Sequence, residues 1–362
     1  MTVLEKGRIA SSQLVMLLVS FGVGSVLVVG KGAGRDAWVA VLISLAVAVA
    51  HAVLLVILFT RFRGRTFLQI IDLVYGKYLG KLIAIAFLWY LFYLTAVVFS
   101  EFINFFKTTV YTTTPAWVIL VVGLLVCASA ARNGIEVLAR ANQLLLLFYL
   151  ANLVFTVVLL VKDFQLENFL PVLDIGVNKL LWVAFGIASL PFFEVSVFLM
   201  IFPALNRQEE LLSTMVKGTI FSGLILLGLV LRDIAILGNL TEFFTYTSYQ
   251  VVRLINVGKF LTRLEILVVL NLITMGFLKV SLLYYGTVLG VAQLLRLRTY
   301  LPLVFPIGVL LAVVGLNNYR NIAENLRFVE YWRLYAFPFH VGIPLVTLLI
   351  ALVRKLPEEG AN

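Results

Sequence analysis

The sequence predicts an all-α, polytopic membrane protein with ten transmembrane helices, and three observations predict it. The chain is 62% hydrophobic, and its apolar residues gather into ten long stretches. Only six of its 46 charged residues fall inside those stretches. The connectors between them are too short to build a soluble domain with its own core. A helix that crosses a bilayer needs about 20 mostly apolar residues, because no water is present to satisfy an unpaired backbone. The stretches run about 12–30, 37–60, 82–106, 115–131, 144–161, 180–203, 218–237, 264–288, 300–317 and 335–353. All 362 residues are therefore expected to form one integral membrane domain.

Taken in order, span 1 carries Lys6 and Arg8 before it but no small-residue cleavage site, so it is expected to remain as a helix. Gly22 and Gly24 bracket Val23 near its middle and weaken the helix there, each by about 1 kcal/mol relative to alanine. Span 2 contains His51, span 3 contains Tyr90 within FLWYLFYL, and span 4 contains Cys127. Span 6 has Gly186, Ser189 and Pro191 at its centre and Glu194 one turn beyond. A proline inside a helix removes a hydrogen bond and clashes with the preceding turn, so an interruption is expected. Spans 1 and 6 open two sets of five, 12–161 and 180–353. Interruptions at matching places in two halves point to a transporter-type site at the bilayer midplane, where free backbone groups meet a ligand.

Charge sets an orientation and excludes several functions. The net charge of +10 lies in the loops rather than in a basic patch, which argues for a membrane protein and against nucleic-acid binding. Fifteen Lys and Arg fall on the side of the termini and 11 on the other, which places the termini in the cytoplasm. One cysteine and two histidines (His51 and His340) leave no disulfide framework, zinc site or histidine-based triad. With no nucleophile–base set either, an enzyme and a bound cofactor are not expected. GKYLGKL at 76–82 is one residue short of a P-loop and lacks the following Ser or Thr. GKGAGR at 30–35 follows an apolar helix instead of a strand, and Asn239 opens a glycosylation sequon by pattern only.

Several stretches then match a known pattern. They are Ser11–Ser12–Gln13 at the start of span 1, YGKYLGKLI at 75–83, RNGIEVLARANQ at 132–143, LPVL at 170–173 and GKFLTRLEILVVLNLITMGFLKVSLLYYG at 258–286. In this order and spacing the chain resembles the B-subunit family of spore germinant receptors, a branch of the amino acid–polyamine–organocation transporter superfamily. It departs from that pattern at Gly30, where many relatives have proline, and at Leu270–Asn271–Leu272, where a tryptophan is frequent. The resemblance implies a LeuT-like 5+5 inverted repeat with helices 1 and 6 interrupted. It also implies a sensor of small germinants, typically amino acids, in the inner membrane of a bacterial endospore. A larger A-subunit and a lipoprotein C-subunit are the implied partners.

The candidate ligand-binding residues are Gly22, Val23, Gly24 and Ser25 at the first break and Phe185, Gly186, Ala188 and Ser189 at the second. Glu194 joins them as a partner for a ligand amine or for the unwound backbone. Lys279, in the middle of span 8, would replace a bound cation or meet a carboxylate. Tyr90 and Tyr284 are added because the resemblance puts spans 3 and 8 beside the cavity. Val23, Ile187 and Ala188 predict a small, mildly apolar ligand. Arg232 and Asp233 are adjacent, about 100° apart on a helix, and are expected to be poor partners and to anchor at an interface. Glu101 and Glu265 are read as interfacial, with Arg263 and Glu265 holding the outer 238–263 segment, and His51 as a core contact rather than a proton relay. The predicted function is nutrient binding that signals to partner subunits; the alternative is an amino acid permease working by alternating access.

Overall fold

A computed structural model describes residues 8–25, 29, 31–255, 264–318 and 322–357. Gly30 and Arg263 lie outside the described residues. The chain is helical, and among the described residues the extended pairing is a single bridge between Ile9 and Leu205. The helices are α1 (Ser11–Val23), α2 (Ala37–Arg61), α3 (Phe67–Tyr75), α4 (Lys77–Thr109), α5 (Ala116–Arg132), α6 (Gly134–Leu160), α7 (Val177–Ile187), α8 (Leu211–Leu237), α9 (Thr247–Arg253), α10 (Glu265–Leu294), α11 (Leu301–Asn317), α12 (Ile322–Phe337) and α13 (Ile343–Val353). Among the described residues seven helical segments are long and apolar enough to cross a membrane. Three further apolar helices, α1, α5 and α11, have 13, 17 and 17 residues. Each of the ten apolar stretches of the sequence overlaps one of these segments.

Helix α10 sits at the centre, packed against α4, α5 and α6, and it also touches α1. Helix α8 packs against α1 and α2, and α11 covers α4 and α5. Small residues set how closely these helices approach. A Cβ on Gly22 would lie 1.8 Å from Ser222 Oγ on α8, and one on Gly276 would lie 2.1 Å from the Phe102 ring on α4. Glycine lets backbones close to that distance, the usual device where lipid removes any hydrophobic drive between helices.

The proline-marked stretch is interrupted; the glycine-marked one ends its helix early, and residues 26–28 and 30 of it lie outside the described residues. Helix α1 stops at Val23, short of the end of its apolar stretch, with the Gly24 N–H donating to Ser20 O. The α7 stretch passes through a π-helical turn at Ala188–Phe192 into a 3-10 helix at Phe193–Met200. Leu190 leaves helical geometry there, with φ −132° and ψ 108°. That is the extended conformation a residue takes when the ring of a following proline excludes it from the helical region. A second π-turn, Pro338–Gly342, joins α12 to α13.

Two polar ties fix the ends of these segments. Ile9 N donates to Ala204 O and Asn206 N donates to Ile9 O, so the start of α1 is stitched to the end of the interrupted α7 stretch. The buried carboxylate of Asp36 accepts from Leu173 N at 2.7 Å and Ile175 N at 3.1 Å. This tie anchors the LPVL connector to the start of α2.

Candidate functional site

The end of α1 and the α7 interruption meet at Lys279. Its ammonium donates to Glu194 Oε2, four residues past Leu190, and to Ser25 Oγ, just past the end of α1. The Nζ also lies 4.9 Å from the centre of the Phe21 ring. Lys279 and Glu194 are fully buried, and Ser25 is 8% exposed. A lysine has three ammonium protons and no acceptor; here two go to oxygens and the charge lies over an aromatic face, where the ring quadrupole attracts it. A charge buried this deeply is tolerated only when paired and hydrogen-bonded. Lys279 therefore ties α10 to the end of α1 and to the interrupted α7 stretch at once. Gly24 makes room for this, since a Cβ there would sit 3.0 Å from Met275 O and 3.2 Å from Lys279 Cβ.

Around this clamp lies a wider set of buried polar groups. Glu194 Oε1 and the hydroxyls of Ser189 and Ser196 have no hydrogen-bond partner among the described residues. Tyr90 on α4 is fully buried, shares a hydrogen bond with His340 Nε2 and is close enough to Glu194 to interact electrostatically. His340 in turn interacts electrostatically with His51 and Lys279. His51 packs its ring on Phe193 at 4.8 Å, one residue before Glu194. Tyr90 also stacks on Phe339 at 4.7 Å and on Trp332 at 6.0 Å, so the second π-turn borders the same region.

The candidate residues thus divide. Gly24, Ser25, Glu194 and Lys279 converge, and Tyr90 approaches them through His340 and Glu194. Val23 is buried at the end of α1, and Ala188 and Ser189 at the α7 interruption. Gly22 faces Ser222 and serves the α1–α8 contact. Phe185 and Gly186 sit on another side of α7: Phe185 packs on Phe337 at 5.7 Å, and Gly186 faces the guanidinium of Arg333. Tyr284 donates to Val304 O and lies over Gly308, so it belongs to the α10–α11 contact.

Arg232 and Asp233 correct the sequence expectation. Arg232 donates to Asp233 Oδ1 from Nε at 2.9 Å and Nη2 at 2.6 Å, and Ser248 on α9 donates to Asp233 Oδ2. The pair is buried within the protein. The 100° between the Cα directions holds, but the long arginine side chain folds back over it. Sequence reading also missed His340, which the metal-site count dismissed; the signal was a histidine inside an apolar stretch, two residues past Pro338.

A helical membrane protein in which a buried ion pair ties a central helix to an interrupted segment, beside the end of α1, is the class that this fold and site define. Residues 8–322 match the family model described as "Spore germination protein". The chain is 31% identical to Spore germination protein KB of Bacillus subtilis (strain 168), over 99% of this chain and 98% of that protein. It is 25% identical to Spore germination protein YndE of the same organism, over 90% of this chain and 89% of that protein. The chain belongs to the spore germination protein family, as an integral membrane protein.

Proposed function

We propose that the chain is the ligand-binding membrane subunit of a spore germinant receptor. It has ten spans in a LeuT-like arrangement whose halves are about 12–161 and 180–353. A small nutrient, an amino acid in this reading, binds between the α1 and α7 interruptions. The observation that carries this reading is the convergence of Ser25, Glu194 and Lys279. One side chain on α10 holds both interrupted segments, and Glu194 Oε1 and Ser189 Oγ, with no partner among the described residues, lie on the same stretch of chain.

A ligand shifts a conformational equilibrium only by its differential affinity for the two states. A ligand amine on Glu194, or a carboxylate on Lys279, competes with the ion pair and so changes how tightly α10 holds α1 and the α7 stretch. That change is the signal passed to an A-subunit and a lipoprotein C-subunit in the inner membrane of the spore. The termini face the cytoplasm. Tyr90 and the backbone at Gly24 and Ala188 border the ligand; Gly22, Phe185 and Tyr284 support it from the surrounding helix contacts.

The alternative is an amino acid permease using the same two interruptions for alternating access, since fold alone does not separate sensing from transport. The test uses the purified chain in sealed proteoliposomes and in nanodiscs, with radiolabelled L-alanine and other amino acids. Saturable binding without accumulation supports the receptor subunit. Accumulation by the chain alone establishes the permease instead, and absence of both overturns the binding reading.

A further inference from the structure

The interrupted α7 stretch also lines a cavity of about 370 Å³, to which Lys279 does not contribute. That is within the ~300–1,000 Å³ range of small-molecule sites. Three cations line it, Lys31, Lys179 and Arg333, with a single carboxylate, Glu330. Its floor is the interruption itself, through Gly186, Ile187 and Leu190. Arg333 on α12 is braced rather than loose. Its Nη1 donates to Trp182 O at 2.7 Å, its Nε donates to Glu330 O at 3.1 Å, and its guanidinium stacks on the Trp182 ring at 4.4 Å. Among the described residues Nη2 donates to no partner. A Cβ on Gly186 would come within 3.2 Å of the guanidinium, so glycine is what lets it lie against the helix. Burial holds the Lys31 ammonium below its usual pKa, an effect that Glu101 opposes. A desolvated cation of this kind gains from a nearby anion.

The geometry points to a carboxylate-recognising vestibule at this face, in which a small carboxylate bound by Arg333, Lys31 and Lys179 waits beside the α7 interruption. A guanidinium with two bonds already fixed offers a pre-oriented fork to a carboxylate. The apolar wall of Trp182, Val183, Ile187 and Leu190 fits a short hydrocarbon side chain, and Glu330 faces the amine of a zwitterion. This inference rests on the proposed function, since it names the ligand class that would approach that site. A phospholipid headgroup carries a similar anionic chemistry, and the test separates the two.

Trp182 reports directly on the vestibule, because Arg333 stacks on it. Collisional quenching by iodide and by caesium is measured for the full chain in phosphatidylcholine nanodiscs, and the Trp182→Phe variant supplies the signal of the other tryptophans. The expected result is several-fold stronger quenching of Trp182 by iodide than by caesium. Sodium propionate is expected to protect Trp182, and propylammonium chloride at equal ionic strength is not. Arg333→Gln, and independently the exposed Lys179→Gln, are expected to lower the iodide preference and the protection.

Equal quenching by the two ions, or equal protection by propionate and propylammonium, overturns the proposal. So does a lack of propionate protection in phosphatidylcholine when phosphatidylglycerol abolishes iodide access, which assigns the cations to lipid headgroups. These readouts do not depend on a nutrient binding at Lys279. An anion-selective Trp182 in a protein that no amino acid stabilises refutes the proposed function and leaves the vestibule standing. Stabilisation by an amino acid in a protein whose Trp182 shows no anion selectivity does the reverse.

Discussion

Lys279 and Glu194 form a fully buried ion pair between the central helix α10 and the chain just past the α7 interruption, and Ser25 brings the end of α1 to the same ammonium. The two segments are also stitched at one end by Ile9 and Ala204–Asn206. They are thus held at one end by backbone and again at Lys279, through the Glu194 carboxylate and the Ser25 hydroxyl.

Removing one partner of a buried ion pair leaves the other uncompensated, at a cost of about 3–5 kcal/mol. Lys279→Met and Glu194→Met are each expected to lower thermal stability in detergent by that order. The double variant is expected to recover much of the loss, because no orphan charge remains. A double variant as unstable as the sum of the singles would show that the pair does not act as a unit.

Gly22 is a packing residue, so its variants report on the α1–α8 contact. Gly22→Ala places a methyl 1.8 Å from Ser222 Oγ and is expected to destabilise the protein. Ser222→Gly in the same chain clears that space and is expected to restore stability. Loss of nutrient response in Gly22→Ala that persists after this rescue would put Gly22 in the site after all.

The Asp36 carboxylate holds two backbone amides of the connector before α7. Hydrogen bonds to a charged group contribute about 1.5–3 kcal/mol each. In Asp36→Ala the amides of Leu173 and Ile175 are expected to exchange hydrogen roughly ten-fold faster or more, read by hydrogen–deuterium exchange on peptides covering 170–176. Unchanged exchange would mean that the connector is held by other contacts.

Tyr90 and Tyr284 are expected to differ. Tyr284→Phe loses its bond to Val304 O and about 1 kcal/mol of stability, with nutrient response intact. Tyr90→Phe strands the imidazole of His340, which interacts with Lys279, and is expected to change nutrient affinity. Equal effects on binding would contradict the placement of the two residues.

The helices were legible because lipid imposes a length and a composition on every spanning segment. The α7 interruption was legible too, since Pro191 dictates the extended geometry of Leu190. Side-chain partners were less so. Tyr284 is five residues from Lys279, about 140° around the helix, so equal depth did not mean the same neighbours. The Arg232–Asp233 pair was misread because Cα directions do not limit a four-bond side chain. Gly22 and Gly186 drew notice as weak points in a helix, and only the packed structure shows what each accommodates: Ser222 for one, Arg333 for the other.

The central claim is that a small nutrient binds at the two interruptions held by Lys279. It is tested most directly by thermal unfolding of the full chain in nanodiscs against a panel of amino acids, wild type beside the Lys279→Met/Glu194→Met double variant. The account predicts that at least one amino acid raises the unfolding temperature of the wild type and that the folded double variant loses this shift. The same shift in both proteins, or none in the wild type, would contradict it.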